Sequence, residues 1–161
     1  MIPHITAPDV FYITPERLKK RGIRLLLLDL DNTLSPYSED LPPERILKWM
    51  SELKKSNIEP YILSNNASEE RVRNYAEACG IPYVARAGKP SPKPVHKAMK
   101  QLGRTQGETA LMGDQIFTDT LAARRAGVTA IIVKPLEMTF LFRLRYIAEQ
   151  VFRLLGREKL R

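Results

Sequence analysis

The chain has 161 residues, a formal net charge of +8 and one cysteine, Cys79. That length suits one domain, 1–161, with a full core; a lone cysteine excludes an internal disulfide and a multi-cysteine zinc cluster, so a reducing cytoplasm is the expected compartment. The stretch 1–10 carries two prolines, a histidine and an aspartate, which fits neither a signal peptide nor a membrane span, and no later apolar run reaches spanning length. The positive balance favours an anionic partner: nucleic acid, an anionic membrane surface or a phosphorylated substrate.

In chain order, residues 2–13 are mixed apolar and Pro-rich without a clear period. Thr14-Pro15-Glu16 then reads as an N-cap with proline at the first helical position, opening a short helix to about Arg21. Four leucines at 25–28 carry neither helical nor alternating character, as suits a strand buried on both faces of a parallel sheet. The string Asp29-Leu30-Asp31-Asn32-Thr33-Leu34 follows, then a loop over 35–40. From Pro43, Ile46, Leu47, Met50 and Leu53 recur at helical spacing opposite Glu44, Arg45, Lys48, Lys54 and Lys55, with Trp49 at the helix margin. A second strand at 58–63 runs into Ser64-Asn65-Asn66. Ser68-Glu69-Glu70 caps the next helix and Cys79-Gly80 ends it, with Cys79 in the register of core residues. Tyr83-Val84 suits a short strand. The prolines at 90, 92 and 94 then stiffen a loop that presents Lys89 and Lys93. A helix to Leu102 contains His96, a packing or surface residue. A strand over 109–112 ends in Gly113-Asp114-Gln115, with Asp119 beyond it; a helix over 121–126 and a strand over 129–133 complete the alternation. Strand, polar loop and helix in repeated order identify an α/β parallel sheet.

The tail, about 137–156, places Phe140, Leu144, Ile147, Ala148, Val151, Leu154 and Leu155 on one helical face, with Arg145, Glu149, Gln150 and Arg153 opposite. The expectation is an apolar face docked at least partly on the sheet and arginines, Arg157 included, left outside. A basic amphipathic helix of this kind also suits an anionic membrane interface.

Polar residues sit at four strand ends or loops: Asp29 and Asp31, Ser64 and Asn65, Lys89, and Asp114 with Asp119. Alternation along an extended segment turns Asp29 and Asp31 to the same side. Two such acids suit attack on phosphorus by one and proton transfer by the other, and they attract a hard divalent cation. In this order the residues resemble the four motifs of the haloacid-dehalogenase-like (HAD) superfamily of phosphohydrolases over about 24–133. Lys89 matches the third motif better than Lys93, because Pro92, Val95 and Ala98 follow it at the family's spacings. The resemblance implies a Rossmann-type sheet flanked by helices, with Asp29 as nucleophile and Asp31 as general acid and base. It also implies phosphate binding by Ser64, Asn65 and Lys89, and Mg2+ held by Asp29, the Asp31 carbonyl and Asp114, with Asp119 in direct or indirect support.

The intervals in which such enzymes carry caps hold little here, so an open site and a substrate with bulk outside the pocket are expected. The strings Leu-Asp-Leu-Asp-Asn-Thr-Leu, Leu-Ser-Asn-Asn and Gly-Asp-Gln-Ile-Phe-Thr-Asp are similar to the YqeG-like branch, related to phosphatidylglycerophosphate phosphatases. That implies an anionic phospholipid substrate and peripheral contact with the inner membrane face. The alternatives are an open-site phosphatase for a soluble sugar phosphate or nucleic-acid end, and a non-catalytic basic RNA-binding module. Aromatics interleaved with lysines for base stacking are not evident.

Overall fold

The four leucines form the centre of a six-stranded sheet in the computed structural model, which describes residues 1–138 and 140–156. The strands are β1 (Ile5–Thr6), β2 (Leu25–Leu28), β3 (Glu59–Leu63), β4 (Tyr83–Val84), β5 (Thr109–Gly113) and β6 (Thr129–Ile132). They lie in the order β1-β6-β5-β2-β3-β4, and every pair is parallel. The helices are α1 (Pro15–Lys20), α2 (Glu44–Lys55), α3 (Glu69–Cys79), α4 (Lys93–Leu102), α5 (Leu121–Ala126) and α6 (Phe140–Leu155).

Burial on both faces explains the unbroken leucine run. Leu26 and Leu28 pack in one apolar layer with Ile46, Met50 and Leu53 of α2 and Val72 and Tyr75 of α3. Leu25 and Leu27 pack in the other with Val95 and Ala98 of α4 and Ala122 and Ala126 of α5. The chain leaves β2 for β3 on one side and later places β5 on the other. The carboxyl ends of the strands at such a reversal form an open crevice, and β2 delivers Asp29 into it.

The helix starts follow from their caps. Thr14 Oγ1 accepts from Arg17 N–H at 3.4 Å, and Ser68 Oγ accepts from Arg71 N–H at 3.3 Å. Trp49 is buried rather than marginal, because its Nε1 donates to the Ile13 carbonyl at 3.0 Å. Strand β1 lies in the stretch that had no clear period; two residues are too few to show alternation, and pairing with β6 specifies them. No substantial cap interrupts the fold: a loop joins β2 to α2, and α3 alone lies between β3 and β4.

The tail helix reverses the expected orientation. Leu144, Ile147, Ala148, Val151, Leu154 and Leu155 are exposed, while Glu149 and Arg153 are buried. Helices α1 to α5 already cover the apolar faces of the sheet, so α6 meets strand ends, whose backbone groups need polar partners. Arg153 donates to the carbonyls of Asp114 and Val133, and Glu149 Oε1 accepts from Ile116 N–H at 3.1 Å. Arg157 and the side chains of Phe140 and Arg145 lie outside the described residues.

Candidate active site

The site begins where β2 ends. Asp29 N–H still donates to the Met112 carbonyl at 2.9 Å, which anchors this residue between β2 and β5. The turn that follows is set by Asn32, whose φ of +61° is tolerated by asparagine better than by most residues. Asn32 also receives a hydrogen bond from Glu137 N–H at 2.6 Å and donates to the Glu137 carbonyl at 3.0 Å. This pair ties the first-motif turn to the segment leading into α6.

Three carboxylates converge beside the turn: one oxygen each from Asp29, Asp114 and Asp119 lie within 4.8 Å of one another. Lys89 Nζ stands between two of them, 2.6 Å from Asp29 Oδ1 and 2.6 Å from Asp119 Oδ1. Thr33 Oγ1 lies 3.4 Å from both Asp29 Oδ2 and Asp114 Oδ1. All five side chains are buried. Gly113 makes room for this arrangement, since a Cβ there would fall on the Asp119 carboxylate.

Burial raises the Asp29 carboxyl to about 7; Lys89 opposes the rise and Asp119 adds to it. Asp114 is raised well above the usual carboxylate range by burial and by the Asp29 and Asp119 charges. The two acids overcome the burial penalty at Lys89 and hold its ammonium above the ordinary lysine range. Three carboxylates against one ammonium leave negative charge uncompensated in a buried space. A hard divalent cation with a preference for oxygen donors fits that donor set.

Asp31 sits apart from the cluster. Its Oδ1 accepts from Arg71 Nε at 3.0 Å and its Oδ2 from Asn66 Nδ2 at 2.8 Å, so the carboxylate is fixed at both oxygens. Arg71 also donates to the carbonyls of Pro36 and Glu39 and to Asp40 Oδ1 at 2.7 Å. One guanidinium thus ties the loop after the first motif to the acid. A cleft of about 290 Å³ opens here, lined by Asp29, Asp31, Asn65, Asn66 and Lys89, with Tyr37, Gln115 and Thr118 at its sides.

The structure brings Asp29, Asp31, Lys89 and Asn65 to the cleft and places Asp114 and Asp119 against Asp29. Asn65 faces Lys89 with a reciprocal pair, accepting from Lys89 N–H at 2.8 Å and donating to its carbonyl at 2.9 Å. Ser64 is fully buried, and its Oγ accepts from Asn66 N–H at 3.1 Å. Sequence reasoning missed Arg71, which looks like any solvated arginine near a helix start. It also missed the grip of Glu149 and Arg153, although their i,i+4 spacing was a usable signal.

An open parallel α/β sheet with clustered carboxylates and a buried lysine at its reversal point defines a class of hydrolytic enzyme. A family model described as haloacid dehalogenase-like hydrolase matches residues 16–127, and the chain belongs to that family. It is 35% identical over 134 residues to the probable phosphatase YqeG of Bacillus subtilis, covering 83% of this chain and 77% of that protein. It is 27% identical over 146 residues to phosphatidylglycerophosphate phosphatase 1, chloroplastic/mitochondrial, of Arabidopsis thaliana. That match covers 84% of this chain and 41% of the plant protein, so the chain spans less than half of that relative. Among solved structures, the cobalt-bound deoxy-D-mannose-octulosonate 8-phosphate phosphatase of Haemophilus influenzae has the same fold. Its TM-score is 0.59 at 19% identity, over 89% of this chain and 93% of that one.

Proposed function

We propose that this phosphatase hydrolyses a lipid phosphomonoester, with phosphatidylglycerophosphate as the favoured substrate, through an aspartyl phosphate on Asp29. The carrying observation is the uncapped cleft of about 290 Å³, which suits a phosphorylated headgroup whose acyl chains stay outside. The plant relative named for that substrate supports the choice.

In this reading an Asp29 oxygen attacks phosphorus as the bond to the leaving oxygen breaks. Asp31 supplies a proton to that oxygen, then takes one from the water that attacks the aspartyl phosphate, releasing phosphate and restoring Asp29. Lys89 stabilises the charge spread over the transferring oxygens. Ser64 and Asn65, expected to bind phosphate, act in this reading through their neighbours: Asn65 holds the Lys89 backbone, and Ser64 accepts from Asn66, which in turn orients Asp31. Asp29, the Asp31 carbonyl and Asp114 would hold Mg2+, supported by Asp119. The bound cation would draw charge from the phosphoryl oxygens and offset the carboxylates.

Magnesium-dependent phosphate release, measured across phosphatidylglycerophosphate, sugar phosphates and RNA ends, tests the substrate. Preference for the lipid is expected. Faster release from a sugar phosphate or RNA end would overturn the lipid assignment, and salt-sensitive RNA binding without release from any ester would overturn catalysis.

A further inference from the structure

Helix α6 faces inward with the wrong side for an ordinary core helix. Glu149 and Arg153 hold its polar face to Ile116, Asp114 and Val133, so its orientation is set by buried hydrogen bonds. Phe152 meets Phe117 edge-on at 6.1 Å, which packs α6 against the turn carrying Thr118 of the cleft wall. The opposite face leaves Leu144, Ile147, Val151, Leu154 and Leu155 between 55% and 67% exposed. Leu136 and Met138, on the approach to the helix, are exposed as well. An apolar strip of this continuity on a surface marks an interaction site.

We propose that this outer face of α6 is a docking surface for an anionic lipid bilayer, placed beside the cleft. This rests on the lipid reading above only for its purpose; the surface itself stands on exposure and charge. From 134 to the end, leaving out the buried Glu149 and Arg153, the sequence has six Lys or Arg against two Glu, half of the chain's net +8. Of these, Lys134 and Arg143 are exposed, as is Glu137. A helix with apolar residues on one side and cations nearby lies in the headgroup region of an anionic bilayer. A second copy fits less well. A stable protein interface draws on about 20–30 residues a side, whereas this strip is one helix face, and two copies would bring like charges together.

Sedimentation with vesicles of phosphatidylglycerol and phosphatidylcholine tests the surface, because neither lipid is a phosphomonoester and turnover is not required. Wild type should sediment with the mixed vesicles and stay in solution with phosphatidylcholine alone. Combining Leu144→Ser, Ile147→Ser and Val151→Ser should lower partition by on the order of tenfold or more, with circular dichroism and hydrolysis of p-nitrophenyl phosphate unchanged. Separately, Val151→Trp should give a blue-shifted emission component with mixed vesicles, a readout that does not depend on the serine variant folding. The proposal is overturned if wild type ignores mixed vesicles, if the serine variant binds them equally, or if the tryptophan emission does not move. A dimer that the serine substitutions dissociate, without vesicle binding, would assign the face to self-association instead. Vesicle binding without hydrolysis of the lipid phosphomonoester would defeat the substrate assignment and leave the surface standing.

Discussion

Lys89 and Arg153 are both cations buried near the carboxyl end of the sheet, yet their partners differ in kind. Lys89 lies between the carboxylates of Asp29 and Asp119, at the edge of a cleft that admits a ligand. Arg153 lies against main-chain carbonyls of Asp114 and Val133, with Glu149 Oε2 at 3.3 Å, and lines no part of that cleft. A lysine among acids keeps a charge available for chemistry; an arginine on strand-end carbonyls closes polar groups that α6 would otherwise bury unpaired. The two share Asp114, whose carboxylate faces the cluster and whose carbonyl faces α6. Activity and stability are therefore expected to separate on substitution, except where they meet at Asp114.

The largest effect should come from Asp29→Asn, which we predict reduces phosphate release to background while thermal unfolding stays cooperative. Wild-type rates in that variant would remove Asp29 as nucleophile. Asp31→Asn should lower the rate by about 10²–10⁴-fold, with Mg2+ dependence largely kept because the backbone carbonyl remains. Arg153→Met should show the opposite profile: a loss of about 3–5 kcal/mol in denaturant unfolding, since Glu149 is left as a buried charge without its arginine. If Arg153→Met were as stable as wild type, α6 would not be held as described. Arg71→Ala should be milder in activity, lowering the rate by roughly tenfold because Asp31 and the 36–40 loop lose their common tie. It should also lower stability, though less than Arg153→Met, since Asp31 borders the open cleft and Asn66 still holds one of its oxygens.

A further effect concerns pH and metal. Burial raises the folded-state Asp29 carboxyl to about 7, against about 4 in the unfolded chain. Between those values the folded protein binds more protons, so metal-free protein should lose stability as pH rises through about 7. Mg2+ requires the ionised form, so its affinity should increase over the same rise and flatten the melting-temperature profile. A metal-free melting temperature that climbs with pH across this window would contradict the clustered arrangement.

Most of the sheet was legible because β2, β3, β5 and β6 are apolar runs ending in polar strings, and a parallel sheet buried on both faces writes itself that way. The helix starts at Thr14 and Ser68 were legible for the same local reason, a hydroxyl one residue before the helical run. Two things were not. Strand β1 is specified by its partner β6, a distant segment, rather than by its own two residues. The orientation of α6 was misread because periodicity identifies a face without saying what it meets. With both sheet faces already filled, the unpaired backbone at Asp114, Ile116 and Val133 decided the outcome. Within the site, the motif residues were legible as a set, whereas Arg71 was not, since its role depends on a loop 31 to 35 residues away.

The central claim is that Asp29 carries the phosphoryl group between substrate and water. Acid-quenched single-turnover reactions of the Asp31→Asn variant with Mg2+, followed by mass spectrometry of the peptide containing Asp29, test it most directly. A phosphate adduct on Asp29 that is lost on hydroxylamine treatment is the result predicted. Substrate consumed in that turnover with Asp29 unmodified at every quench time, or an adduct on another residue, would contradict it.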